Sequence, residues 1–203
     1  YLPDLKYVKS SIKTIKKYRK FEQLIILEST TYPETTIDEI IKKLSDKKFK
    51  LGKNYYAGYS PEREDPGNKK FDNVNIPKVI SAEDKKSLIN IEEFYKLYIK
   101  KVVKVKDTKT AETVKLFENI FRAVNIALVN ELKIILSKMD IDMWNVIKAA
   151  ETKPFGFMPF YPGPGFGGHC IPVDPFYLTW KAKQVGENTE FIKLAGIINR
   201  KMN

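Results

Sequence analysis

Over residues 9–105 the chain alternates short apolar runs with stretches of helical period, and few folds accommodate such an alternation. Residues 9–20 set Ile12 and Ile15 on one face of a helix, Leu24-Ile25-Ile26-Leu27 is a run of the buried-strand type, and residues 33–44 return to helical spacing through Ile37, Ile40, Ile41 and Leu44. Two further strands are predicted over residues 55–59 and 78–81, then a helix over 82–98 and a strand over 101–105. This succession predicts an α/β fold with an open sheet of parallel strands.

From Thr110 the pattern changes to one long helix, predicted to run to about residue 139 and apolar around more than one face. Such a helix lies between two bodies of protein or at a dimer seam. A shorter helix is predicted over 142–150, a Pro- and Gly-rich stretch over 154–168, and helical spacing again after Asp174 and over 189–201. At 203 residues and 43% hydrophobic content, the chain has enough apolar surface for a sizeable core. It contains no apolar run of the ~20 residues a membrane span needs, which predicts a soluble protein. A single cysteine builds no disulfide framework, so a reducing cytoplasm is the expected compartment. The net charge of +11 raises nucleic-acid binding as an alternative, but the lysines occur in scattered pairs such as Lys16-Lys17 and Lys85-Lys86, interleaved with acids, and read as solvated surface. No nucleic-acid or membrane partner is expected. A basic cleft would also attract substrates that carry pyrophosphate.

Chemistry concentrates at a few places. The run Gly165-Phe166-Gly167-Gly168-His169-Cys170-Ile171-Pro172-Val173-Asp174 keeps side chains out of a loop and ends near a proline suited to a helix start. A thiol near a helix N-terminus is favoured as thiolate, with Asp174 one turn on; a buried structural cysteine fits the same position equally well. Lys115 and Asn119 stand four apart on the long helix and share a face, although spacing alone favours a solvated stripe with Glu112 and Glu118. Thr30 follows the Leu24–Leu27 run, and Glu62 follows the strand of residues 55–59. Both would stand at strand carboxyl ends, where open α/β sheets bind ligands; a helix-capping Thr and an exposed loop Glu are the alternatives. With His169 the only histidine, no His-based metal cluster or Ser-His-Asp triad can be built, and no metal is expected.

Taken in order, Pro3-Asp4-Leu5-x-Tyr7-Val8, Glu28-Ser29-Thr30, Ser60-Pro61-Glu62-Arg63, Pro77-Lys78-Val79-Ile80, Ala111-Glu112-x-x-Lys115-Leu116-x-x-Asn119 and Gly165-Phe166-Gly167-Gly168-His169-Cys170 resemble the UDP-glucose/GDP-mannose dehydrogenase family. Residues 60–67 and 153–165 look most like its UDP-N-acetylglucosamine/UDP-N-acetylmannosamine branch, with UDP-glucose dehydrogenase the rival. The resemblance implies an incomplete Rossmann-like parallel sheet in residues 1–108, the second half of an NAD-binding domain. It implies for residues 109–203 a mostly α-helical middle domain that holds the long helix and the cysteine loop. It implies an enzyme that uses NAD to oxidise a UDP-sugar C6 alcohol to the uronic acid for surface polysaccharide synthesis, and a homodimer formed through the long helix.

Carried over residue by residue, the resemblance makes Cys170 the nucleophile of a thiohemiacetal and thioester, and Lys115 and Asn119 the oxyanion holders. Asp174 with Thr30 positions a water, and Glu62 is the acid/base of thioester hydrolysis. Thr30 and Glu62 also border the cofactor, and Gly165, Phe166, Gly167 and Gly168 wrap the substrate. No Gly-x-Gly-x-x-Gly opens the first strand–helix unit. In the family that fingerprint precedes the segment where Tyr1 falls, and a UDP-binding domain follows the segment where Asn203 falls. The chain by itself is therefore expected to lack dehydrogenase activity.

Overall fold

A computed structural model describes residues 3–64, 74–165 and 174–202. The chain divides into two compact units, Leu2–Leu116 and Phe117–Asn203 with Tyr1. In the first unit helix α1 (Lys6–Tyr18) leads to strand β1 (Gln23–Leu27), then a π-helical turn, Thr36–Ile41, runs into the short helix α2 (Lys42–Leu44). Strands β2 (Tyr55–Tyr59) and β3 (Lys78–Ala82), helix α3 (Lys85–Lys96) and strand β4 (Val102–Lys104) follow. Helix α4 (Thr108–Lys138) starts in this unit and continues into the second.

The strands lie in the order β1-β2-β3-β4. Strands β1 and β2 are parallel, as are β3 and β4, each pair joined through helical turns in the crossover manner. Strand β3, however, runs antiparallel to β2, with Gly58 opposite Ala82 and Tyr59 opposite Ser81, so the sheet is mixed and the all-parallel expectation fails at this junction. A parallel neighbour requires the chain to return to the far end of the sheet. Here the link returns at the edge where β2 leaves it, and Arg63 Nη1 donates to the Pro77 carbonyl at 2.8 Å, tying the two ends of the link together. Strands β2 and β3 approach closely at Gly58, where a Cβ would stand 2.1 Å from the Ser81 carbonyl oxygen.

The two-residue period of the strands sends side chains into two layers. Ile25, Leu27, Tyr55, Ala57, Tyr59 and Val79 pack with Ile12 of α1, with Ile40 and Leu44, and with Ala111 of α4. On the opposite face Ile80 and Ala82 pack against Ile91 and Tyr95 of α3. Helix α3 is capped by Asp84, which accepts from the Ser87 N–H at 2.9 Å, and α4 by Glu83, which accepts from the Thr108 N–H and hydroxyl at 2.9 and 2.6 Å.

In the second unit α4 is followed by α5 (Met143–Ala150), capped by Asp142, then by α6 (Asp174–Gln184) and α7 (Glu190–Arg200). Buried asparagines hold this unit together. Asn130 Nδ2 donates to Asn199 Oδ1 at 2.9 Å, Asn199 Nδ2 donates to the Ala123 carbonyl at 3.0 Å, and the Gly163 N–H donates to Asn130 Oδ1 at 2.9 Å. Asn130 had no role by spacing alone; it anchors the Gly-rich strap just ahead of Gly165, which itself adopts φ +100°. Among the described residues no helix is long and apolar enough to cross a membrane.

Candidate functional site

In the first unit the carboxyl ends of β1 and β2 form one edge of the sheet. The Ser60 N–H donates to the Leu27 carbonyl at 3.0 Å and the Glu62 N–H to the Glu28 carbonyl at 3.4 Å, so the loops leaving both strands stay side by side. Thr30 is half-buried just beyond β1, and Glu62 is exposed just beyond β2. Glu62 Oε1 accepts from the N–H groups of Arg63 and Glu64, each at 2.8 Å, and Oε2 accepts from Lys78 Nζ at 3.0 Å. Partial burial works to raise the Glu62 carboxyl, but the Lys78 ammonium and the two backbone donors outweigh it and hold it below the ordinary glutamate value. At neutral pH Glu62 is a carboxylate that can take a proton.

Three further residues at this edge, Lys78, Glu28 and Tyr95, are not marked by spacing or motif chemistry in the sequence. Lys78, at the start of β3 and only 8% exposed, pairs with Glu28 at 2.9 Å as well as with Glu62. The Tyr95 hydroxyl of α3 donates to Glu28 Oε1 at 2.7 Å, and burial pushes that hydroxyl well above the ordinary tyrosine value. A signal was present in the sequence: Lys78 directly abuts the apolar run Val79-Ile80, and a charge entering a buried strand needs partners. Glu28, Glu62, Arg63, Lys78 and Tyr98 contribute to the lining of a cavity of about 170 Å³.

Glu112 does not lie on a solvated stripe. It is fully buried, and it caps the π-helical turn: Oε1 accepts from the Thr36 N–H and hydroxyl, each at 2.7 Å, and Oε2 from the Glu34 N–H at 2.6 Å. Glu34 adopts φ +82°, a conformation that costs a side-chain-bearing residue about 1–3 kcal/mol, and the bond to Glu112 helps to hold it. Burial raises the Glu112 carboxyl to about 7 against the pull of these three donors.

One turn after Glu112 on α4 comes Lys115, half-buried. In the second unit Asn119 is 3% exposed, so it too departs from the solvated-stripe expectation. Its Nδ2 donates to Asp174 Oδ2 at 2.6 Å, and Asp174 is 5% exposed at the head of α6. The structure thus joins two of the residues singled out in the sequence across fifty-five positions of chain. Cys170, Phe166, Gly167, Gly168, His169 and Pro172 lie outside the described residues.

Residues 1–99 match the NAD-binding domain of the UDP-glucose/GDP-mannose dehydrogenase family, and residues 109–201 match that family's central domain. The chain belongs to this family, a group of Rossmann-like nucleotide-sugar dehydrogenases. It is 42% identical to the UDP-N-acetyl-D-glucosamine 6-dehydrogenase of Pseudomonas aeruginosa over 198 residues, 96% of this chain and 46% of that protein. It is 40% identical to the UDP-N-acetyl-D-mannosamine dehydrogenase of Methanocaldococcus jannaschii over 200 residues, 98% of this chain and 44% of that protein. Among solved structures, the UDP-D-ManNAc dehydrogenase of Pyrococcus horikoshii superposes with a TM-score of 0.88 at 33% identity, covering 98% of this chain and 47% of that one. The chain therefore spans about half the length of the relatives it matches.

Proposed function

We propose that this chain supplies the covalent thiol and the acid–base edge of an NAD-dependent UDP-N-acetylhexosamine 6-dehydrogenase that makes a uronic acid for surface polysaccharide. The observation that carries this reading is the buried 2.6 Å bond between Asn119 and Asp174. Fixing a desolvated carboxylate against an amide costs stability that apolar packing would not, which favours a functional role for the pair. Asp174 follows Cys170 by four residues in sequence, which supports assigning that role to the thiol chemistry.

The overall reaction consumes one alcohol, one water and two NAD, and yields one carboxylate, two NADH and three protons. NAD, when bound, accepts a hydride in each of the two oxidations. The residues at the β1–β2 edge fit one end of that cofactor: Thr30 and Glu62 stand just beyond strand carboxyl ends, and Glu62 lines the 170 Å³ cavity. The Cys170 thiolate adds to the C6 aldehyde carbon to give a thiohemiacetal, and loss of hydride from that carbon leaves a thioester. Lys115 and Asn119 stabilise the oxyanion in these steps. Asp174 with Thr30 orients a water, and Glu62 takes a proton from the water that attacks the thioester, whose C–S bond breaks to return the thiolate. Gly165, Phe166, Gly167 and Gly168 line the substrate.

The N-acetylhexosamine assignment rests on the relatives at 40–42% identity and on the segment of residues 154–164. The same reading makes the protein a homodimer through α4. Phe121, Leu128 and Leu132 of that helix are exposed and contribute, with Phe157 and Met158, to an apolar cleft of about 580 Å³. The decisive experiment measures NADH formation by the dehydrogenase that carries this chain, with UDP-N-acetylglucosamine, UDP-N-acetylmannosamine and UDP-glucose. Cys170→Ser should lower turnover by roughly a thousandfold or more, as losses of nucleophiles do. Wild-type turnover in the variant would remove Cys170 from the mechanism, and a preference for UDP-glucose would move the chain to the rival branch.

A further inference from the structure

The Lys78 ammonium lies between two carboxylates, 2.9 Å from Glu28 and 3.0 Å from Glu62. Lys78 is nearly enclosed, whereas the side chains of Glu28 and Glu62 are each about half exposed, at 47% and 48%. A buried cation left without a partner is costly, by several kcal/mol in typical cases. If Glu62 were its sole partner, every proton taken up by Glu62 would strand that cation.

From this geometry we infer that Glu28 and Lys78 are positioning residues for Glu62: Glu28 keeps Lys78 paired while Glu62 gains and loses its proton. This rests on Glu62 as the acid/base of the dehydrogenase. Glu28 is itself fixed by the Tyr95 hydroxyl at 2.7 Å, so it stays on Lys78 when Glu62 turns away. Lys78 is also held over the Tyr95 ring, 5.3 Å from its centroid. The remaining groups facing the cluster are consistent with this division of labour. Arg63 is bound to the Pro77 carbonyl, Glu64 contributes its backbone N–H, and Tyr98 borders the same cavity. The cavity of about 170 Å³ is wide enough to admit water, which could carry a proton to and from Glu62. Lys78 itself stays charged, because its two carboxylates outweigh the burial that would lower it.

The charge sharing predicts opposite responses to removing the two partners. In the 203-residue chain, NMR of the glutamate carboxyl carbons follows the titration of Glu62 directly. Lys78→Met should move the Glu62 midpoint up by about one pH unit, because the cation that favours its carboxylate is gone. Glu28→Gln should move it down, because Lys78 then turns wholly to Glu62 and a neighbouring negative charge is lost. A shift of the same sign in both variants, or none in either, overturns the inference. Glu28→Gln is nearly isosteric and half exposed, so its result stands even if Lys78→Met fails to fold. The acid/base role fails separately: wild-type thioester hydrolysis in a Glu62→Gln dehydrogenase would remove it while leaving the titration result intact.

Discussion

In Leu2–Leu116 both apolar clusters found among the described residues pack on the two faces of the sheet, and the carboxyl group enclosed beside them is that of Glu112. In Phe117–Asn203 two bonds from amides, Asn119 to Asp174 and Asn130 to Asn199, join distant stretches of chain beside the ring contacts Phe121–Phe160 and Trp144–Tyr161, while Phe117, Leu128, Trp144 and Phe191 remain exposed. A sheet with helices on both faces closes its core upon itself. Helices that are apolar around a wide arc cannot do so within one small unit; they fix their mutual register with a few directional bonds and leave a face to be covered. The first unit is therefore tuned by charge, the second by hydrogen-bond geometry.

The largest effect that sharpens this contrast is the pH response of the first unit. Glu112 is raised in the folded chain to about 7 from 4.5, so the folded state binds the extra proton between these values. Its contribution is fully present below pH 4.5 and is lost as pH rises toward and through 7, by roughly 3 kcal/mol at most. Urea unfolding of the chain at a series of pH values should show this decline, and Glu112→Gln should remove that part of the slope. An unchanged slope in the variant would place the proton elsewhere.

A smaller effect belongs to the second unit. Asn199→Ala removes the donor to the Ala123 carbonyl and strands one end of Asn130, and should cost about 2 kcal/mol at any pH between 5 and 8. The amide exchange of Gly163, which Asn130 holds, reads the loosened strap directly. Unaltered exchange would separate the asparagine network from the strap. The smallest effect on folding is expected at Leu128, which is 53% exposed: Leu128→Lys should change stability by no more than about 0.5 kcal/mol. On the proposed homodimer, the same variant should shift dimer toward monomer in sedimentation, and an unshifted distribution would remove α4 from the proposed interface.

Much of the fold could be read in the residues. Strand β2 falls on residues 55–59 as the apolar pattern required, and α4 runs within two residues of the predicted limits at each end. The direction of β3 could not be read, because alternation of apolar runs predicts strands but not the sense in which a link returns them. Glu112 shows the same limit at the site. Helical spacing aligned it with Lys115 and Asn119, but whether water or protein covers that face depends on the π-helical turn, whose open N–H groups need an acceptor. Asn130 carries no local signal of its role, because its partners Asn199 and Gly163 are distant in sequence.

By itself the sequence determined the family, the alternating elements, the long helix and the residue types that chemistry would need, because periodicity and motif spacing are local properties of the chain. The tertiary structure decided the antiparallel join of β2 and β3, the burial of Glu112, the Asn119–Asp174 bond and the lysine shared by Glu28 and Glu62. Each depends on groups far apart in sequence coming within a few ångströms, where desolvation and paired charge set protonation and cost.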